Sequence, residues 1–157
     1  MSTTEHLTSV ISKKFNKLVG EIPTNCLDWL HAIGKASEAL LYSILFMPEL
    51  KIVNDSVLLA WGMQDDESQQ RFLDSVKSNN MSLQQLEASF NFIEVGYIFD
   101  TVGRDTSDEE DELLANLICN AWEGWLKTSF PDRKFIVEVL SAEETGSTVG
   151  VHFFESR

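Results

Sequence analysis

The feature that most constrains this fold is a stripe of apolar residues that repeats with helical spacing in the second half of the chain. Since an α-helix turns once about every 3.6 residues, positions i, i+1, i+4, i+5 and their successors share one face. The residues at these positions are Leu113, Leu114, Leu117, Ile118, Ala121, Trp122, Trp125 and Leu126. Ser107 and Glu110 precede the stripe with the spacing of a capping box. We therefore predict a long amphipathic helix that begins near Asp108 and packs on a core.

A second long helix is predicted between two prolines. Thr24 or Asn25 can cap its N-terminus, and Pro48 stops it soon after Phe46 because proline has no amide hydrogen to donate. The apolar residues expected on its buried side are Leu27, Leu30, Leu41, Ile44 and Leu45.

Three further helices are predicted from their caps and spacing. Amphipathic spacing favours a helix over 3–19, and acids at the start favour one over 66–77. Ser82 and Gln85 form another capping box, and the apolar spacing after it predicts a helix through Ile93 to about residue 97.

Two β-hairpins are predicted, at about 50–58 and 134–154. In the first, Asn54 and Asp55 separate two β-branched runs, and both residue types tolerate the positive φ angles of a tight turn. The second alternates apolar and polar residues and returns after a polar loop. The expected fold class is therefore α+β and mainly helical, with the hairpins placed side by side in a small antiparallel sheet that helices cover.

Length and composition fit one compact domain over 1–157. With 43% hydrophobic residues, a chain of this length can bury a sizeable core without disulfides. The N-terminus has neither the basic nor the apolar segment of a secretory signal, and no apolar run is long enough to span a bilayer. Cys26 and Cys119 lack a metal-binding spacing. We expect a cytoplasmic protein with no membrane partner and two buried thiols.

The charge is strongly negative and unevenly distributed. The chain carries 12 Lys and Arg against 25 Asp and Glu, a formal net charge of −13. Residues 1–60 carry a net −1 and residues 61–157 a net −12. Because a protein that holds nucleic acid by its phosphates needs a positive surface, this charge argues against direct nucleic-acid binding. A negative face would instead steer a basic protein partner.

The densest run of acids extends from Asp105 to Glu112, with six acids in eight residues. It lacks the central glycine and the terminal glutamate of an EF-hand loop, and the chain has no Glu-x-x-His motif for a di-metal site, so we expect no metal. A helix dipole stabilises acids in the first turn, but like charges three and four residues apart repel each other. We therefore assign the surplus acids to binding.

The predicted binding surface combines these acids with an aromatic anchor. Tryptophan is enriched at interface hot spots, and Trp61 is followed closely by two further acids. The predicted partner-binding residues are Asp105, Asp108, Glu109, Glu110, Asp111, Glu112, Asp65, Asp66 and Trp61.

Few residues could carry catalysis. His6, His31 and His152 share no metal-binding spacing. The glycine-containing segment 145–150 lies between two predicted strands, whereas a phosphate loop or a nucleophile elbow joins a strand to a helix. We assign no catalytic residue and expect no cofactor.

The predicted function is a non-enzymatic acidic interaction module. A bacterial immunity protein or inhibitor that neutralises a basic nuclease toxin is the most concrete instance, because a nuclease must be basic to hold its substrate. One alternative is a nucleic-acid mimic that blocks a DNA-binding protein. Another is an enzyme with a dispersed site of carboxylates and His152, which predicts a pocket with converging polar groups. A third is an adaptor or self-assembling protein with an exposed apolar interface.

Overall fold

The structure, a computed structural model, describes residues 3–15, 26–99 and 105–157. The predicted helix caps at Thr24 and Asn25 lie outside the described residues. The backbone divides into two compact units, Met1–Ser43 and Ile44–Arg157. That the whole chain forms one domain stays a prediction.

The described residues contain seven α-helices and five β-strands, which confirms the α+β class. In chain order they are α1 (Thr3–Phe15), α2 (Cys26–Ile33), α3 (Ala36–Phe46), β1 (Leu50–Val53), β2 (Ser56–Leu59), α4 (Asp66–Ser78), α5 (Leu83–Phe90), β3 (Ile93–Glu94), α6 (Asp108–Ser129), β4 (Phe135–Leu140), α7 (Ala142–Thr145) and β5 (Gly150–Glu155).

The predicted second helix is in fact two helices, with a break at Gly34. The Gly34 amide still donates to the Leu30 carbonyl at 2.9 Å, but the helix ends there. A Cβ at this position would lie 2.5 Å from the Leu30 carbonyl oxygen, so a larger residue would not fit this close turn. Glycine therefore allows the chain to leave α2 and begin α3 two residues later.

The prediction of which residues line the buried side of this region is wrong. Leu27, Leu30, Leu41 and Ile44 are 56% to 72% exposed, and of the predicted set only Leu45 is buried. The break at Gly34 separates the helical phases of α2 and α3, so a stripe drawn through both does not mark one face. Trp29 of α2 is buried, and its ring centre lies 6.2 Å from that of Phe15.

The first hairpin is confirmed in position and turn. β1 pairs antiparallel with β2, and Val53 faces Ser56 across the turn. Asn54 and Asp55 have φ angles of 50° and 67°, the left-handed values that a two-residue primed turn requires.

The second hairpin is also confirmed, but it lies in a separate sheet. β4 and β5 pair antiparallel from Phe135 to Leu140, and the strand order is β3-β5-β4. β3 occupies the other edge of β5, where Ile93 faces Val151. The β1–β2 hairpin forms a two-stranded sheet of its own, so the expected single sheet does not form.

Helix α5 ends at Phe90, so the prediction that it continues through Ile93 is wrong. The spacing of apolar residues fits a longer helix, but Ile93 and Glu94 form the short edge strand β3 instead. Long-range pairing with β5 overrides the local helical pattern, as tertiary contacts commonly do.

The core of the second unit lies between α6 and the β3-β5-β4 sheet. α6 begins at Asp108 after the Ser107 cap, as predicted, and extends over 22 residues. Trp122 is fully buried, packs edge-on against Phe153 and donates its indole N–H to the Leu45 carbonyl at 2.8 Å. The predicted apolar stripe of α6 is therefore the centre of the fold.

Candidate functional site

The acids at the start of α6 do not form one uniform face. Ser107 accepts a hydrogen bond from the Glu110 amide, and the Glu110 carboxylate accepts one from the Ser107 amide at 2.7 Å, so Glu110 is part of the cap. Asp111 is only 3% exposed. The acids that this run presents to solvent are Asp105, Asp108, Glu109 and Glu112.

The second predicted group of acids lies at the start of α4. Asp65 is its N-cap and accepts a hydrogen bond from the Ser68 amide at 2.7 Å. Hydrogen bonds from the Ser68 side chain and backbone lower the pKa of the Asp65 carboxyl group below its ordinary value. Asp66 follows in the first turn and is exposed. Both groups of acids therefore lie at helix N-termini, where the dipole favours them.

Trp61 lies apart from the acids of α6. Its ring centre is 6.5 Å from that of Trp122, with the two rings tilted at 49°. Trp122 follows Asp108 by fourteen residues on one helix, a rise of about 21 Å along the axis. The structure thus separates the predicted binding residues into an acidic helix start and an aromatic position several turns away.

An apolar pocket opens beside Trp61. Its volume is about 230 Å³, and apolar side chains alone line it. These are Ile44, Leu45, Trp61, Ile93 and Ile98. Trp61 contacts Trp122 with tilted rings and keeps 38% of its surface exposed, so it forms a wall of the pocket that a partner can reach.

Further exposed apolar residues lie close in sequence to the residues that line this pocket. Met47 comes one helical turn after Ile44, and Tyr97 and Phe99 flank Ile98; all three are exposed. We call the Trp61 surface the set Ile44, Met47, Trp61, Tyr97, Ile98 and Phe99. Of these only Trp61 is predicted from the sequence, because helical spacing assigns Ile44 and its neighbours to the core.

The Trp61 surface lies in the unit that carries all of the net charge. Residues 44–157 contain 8 Lys and Arg against 21 Asp and Glu, a formal net charge of −13. Residues 1–43 contain four of each sign and are neutral. The boundary between the two units is therefore also a boundary between a neutral and a strongly acidic segment.

A second groove lies next to His152. It has a volume of about 260 Å³ and is lined by Ala88, Ser89, Phe92, Leu140, Thr145 and His152. The imidazole Nε2 lies 3.0 Å from a carboxylate oxygen of Glu138. These two residues face each other across β4 and β5, so their pairing follows from strand register.

Two polar side chains of this groove, Thr145 and His152, already have partners within the fold. The Thr145 hydroxyl donates to the Thr148 carbonyl at 2.7 Å. The segment 145–150, considered above as a phosphate loop, begins at the end of the four-residue helix α7, and Gly146 takes a left-handed φ of 74°. The segment therefore follows a helix and leads into β5, whereas a phosphate loop follows a strand and leads into a helix.

Metal-ligand clusters and membrane-spanning helices are both absent from the described ranges. Within 3–15, 26–99 and 105–157, no three His, Cys, Asp or Glu side chains lie together as metal ligands would. No helix in those ranges combines the length and apolar character needed to cross a bilayer.

Comparison of the chain with protein-family models, with curated proteins and with solved structures finds no match.

Proposed function

We propose that this chain is a non-enzymatic protein-interaction module whose acidic second unit binds a basic partner protein at the Trp61 surface. The observation that carries the proposal is an all-apolar pocket with a partly exposed tryptophan as one wall, in a unit with a net charge of −13. Apolar pockets beside tryptophan are where interface binding energy concentrates.

The pocket and the charge have different roles in this proposal. A side chain of the partner that enters the pocket gains free energy by leaving water, at about 25 cal/mol per Å² of apolar surface. The surrounding negative charge raises the association rate of a basic partner and rejects acidic ones. The pocket therefore sets how long the complex lasts, and the acids set which proteins reach it.

The acids of α6 are too far from Trp61 for both to contact the same side chain of a partner protein. The axial separation of about 21 Å exceeds the Debye length of about 8 Å at physiological salt. An interface of ordinary size covers roughly 800 Å² per partner and is about 30 Å across, so one partner can touch both places. Asp108, Glu109 and Glu112 then serve as the acidic rim of a larger interface.

An immunity or inhibitor protein that neutralises a basic nuclease toxin in the bacterial cytoplasm remains the most concrete instance. Such a protein needs a mixed surface of acids and aromatic anchors, which these residues supply. A nucleic-acid mimic needs a continuous stripe of carboxylates at phosphate-like spacing. The predicted binding acids lie instead at the N-termini of two helices, and the Glu138–His152 pair is explained by strand register, so the mimic and the enzyme have less support.

The experiment is affinity capture from the source cell at low and high salt, followed by measurement of binding to the captured protein. Trp61→Ala and Ile98→Ser test the pocket, and the triple variant Asp108→Lys, Glu109→Lys and Glu112→Lys tests the rim. Ile52→Ser on β1 and Asp132→Lys after α6 change exposed residues elsewhere in the second unit and serve as matched controls.

The proposal expects one basic partner. Each pocket variant should weaken its binding at least tenfold, mainly through faster dissociation, and the rim variant should slow association at low salt. The controls should bind like the original protein. If the captured protein is acidic, or if both pocket variants bind as tightly as the controls, the Trp61 surface is not the binding site.

A further inference from the structure

Strand β4 forms one edge of the β3-β5-β4 sheet and bonds to β5 through every second residue. The Ser156 amide donates to the Lys134 carbonyl at 2.8 Å, and these two residues continue the β4–β5 register. Since bonded and non-bonded pairs alternate in an antiparallel ladder, Ile136, Glu138 and Leu140 also bond to β5. The backbone groups of the residues between them therefore point away from β5, toward the outside of the sheet.

Two further hydrogen bonds agree with this assignment. The Val95 amide donates to the Val149 carbonyl at 2.9 Å, so the odd-numbered residues of β5 bond toward β3 and the even-numbered ones toward β4. The thiol of Cys119 on α6 donates to the Val137 carbonyl at 3.6 Å, as a carbonyl that points away from β5 allows. The residues of β4 with outward backbone groups are thus Phe135, Val137 and Val139.

We call the outward backbone groups of Phe135, Val137 and Val139 the β4 edge. Among the described residues, the three N–H groups of this edge have no hydrogen-bond partner. The strand keeps one register over six residues, with no proline or bulge to interrupt it. The side chains of the three residues pack into the core cluster around Trp122, so the fold holds the edge in place. Such an edge is a template on which another strand can pair.

Negative charge lies on both sides of the β4 edge. Burial raises the pKa of the Cys119 thiol, and the charges of Glu123 and Glu138 raise it further, so both carboxylates lie near the middle of the edge. Glu123 is exposed on α6, about one turn after Cys119, and Glu138 is exposed on the face of the sheet opposite to Val137. Glu112, also exposed, lies on the same face of α6 about two turns before Cys119.

These charges decide which strand can pair with the β4 edge. A second copy of this chain would bring a second Glu138 and a further net charge of −13 to the same place, and like charges on paired strands repel each other. A segment rich in Lys and Arg would instead find acids beside both of its faces. We propose that the β4 edge binds an extended basic segment of a partner protein, which adds to the sheet as a fourth strand.

The backbone and the side chains have different roles in this contact. Hydrogen bonds to the β4 edge provide the affinity, and the neighbouring acids select basic side chains. Apolar side chains of the segment extend the core side of the sheet next to Val137, and Lys or Arg side chains on its other side reach Glu138.

The β4 edge and the Trp61 surface lie at opposite edges of one sheet. Ile93 of β3 lines the pocket beside Trp61, and the strand order places β3 and β4 on either side of β5. Each proposal can therefore fail while the other stands.

Amide hydrogen exchange of the full chain, followed residue by residue by NMR, tests the proposal. The probe is a synthetic peptide of about eight residues that alternates valine and lysine, which is long enough to span β4. A peptide that alternates valine and glutamate is its matched control. Glu123→Lys reverses an acid beside the edge, and Glu67→Lys reverses an exposed acid on α4 as the control variant.

Without peptide, the amides of Phe135, Val137 and Val139 should exchange about tenfold faster than those of Ile136 and Glu138, which are bonded to β5. The valine–lysine peptide should slow the three outward amides about tenfold.

Glu123→Lys should weaken the binding of this peptide about threefold at low salt, whereas Glu67→Lys and Trp61→Ala should leave it unchanged. Outward amides that are as protected as the inward ones before peptide is added overturn the proposal, because the edge is then already covered. Equal protection by the valine–glutamate peptide also overturns it, as does binding of the valine–lysine peptide without protection of these amides.

Discussion

At the scale of single residues, Asn91 connects the two sheets of the second unit. The side-chain oxygen of Asn91 accepts a hydrogen bond from the backbone amide of Leu59 in β2 at 2.9 Å. Its side-chain nitrogen donates to the backbone carbonyls of Val57 in β2 and Phe153 in β5. Asn91 is fully buried, so all three bonds are shielded from water. The hydrogen bonds of this one side chain thus link the two hairpins, which do not pair with each other through their backbones.

We predict that Asn91→Ala lowers the free energy of unfolding by about 3 kcal/mol. The substitution leaves a buried amide and two buried carbonyls without their partner, and each lost buried bond costs about 1 kcal/mol or more. Urea unfolding measures the effect, with Asn80→Ala in the exposed loop after α4 as the control. Equal stability of the two variants would contradict the bridging role of Asn91.

A network of ion pairs closes the end of β5. Arg133 donates to Glu155 at 2.9 Å, and Arg157 donates to both oxygens of the buried Glu87 and also pairs with Glu155. The hydrogen bonds from Arg133, and next the charge of Arg157, hold the pKa of Glu155 below its ordinary value of 4.5. The same hydrogen bonds raise the pKa of Arg133.

The lowered pKa of Glu155 gives a prediction about acid stability. Because the folded-state pKa lies below the unfolded one, this pair stabilises the fold above about pH 4.5 and loses its effect as the pH falls through the folded value. We predict that Glu155→Gln costs about 2 kcal/mol at pH 7 and that the cost shrinks toward pH 3. Urea unfolding across this range measures it, with the exposed Glu143→Gln as control; a cost that does not change with pH would refute the assignment.

At the scale of elements, local signals predicted helix starts and tight turns well. The caps at Ser82 and Ser107 depend on side chains three residues apart, and the Asn54–Asp55 turn depends on adjacent residues. These interactions are complete within a few residues of chain, so they can be read from the sequence. The break at Gly34 is also local, but a lone glycine within a helical pattern does not by itself end a helix.

An element with a distant partner was not predicted where its local pattern is helical. Ile93 and Glu94 have a helical pattern, and only pairing with β5 makes them a strand. Ile44 and Ile98 have the same apolar character as core residues, so the sequence does not distinguish a pocket wall from a packed interior. For the candidate site, this left Trp61 as the one pocket residue that could be predicted, because exposed tryptophan is common at interfaces.

At the scale of the whole molecule, the chain combines a neutral first unit, 1–43, with an acidic second unit, 44–157, that has a large core. The buried apolar residues of the second unit form two clusters, one around Trp122 and one around Phe72. The buried residue described in 27–43 is Trp29. Since resistance to local opening follows the buried contacts that must break, the two units should open with different free energies.

We predict that amide hydrogens of α2 and α3 exchange with solvent at least about tenfold faster than those of α6 and β5 in dilute protein. Hydrogen exchange followed by mass spectrometry measures the rates in all four elements. Equal exchange in all four elements would instead mean that the chain opens as one cooperative domain, as its length predicts.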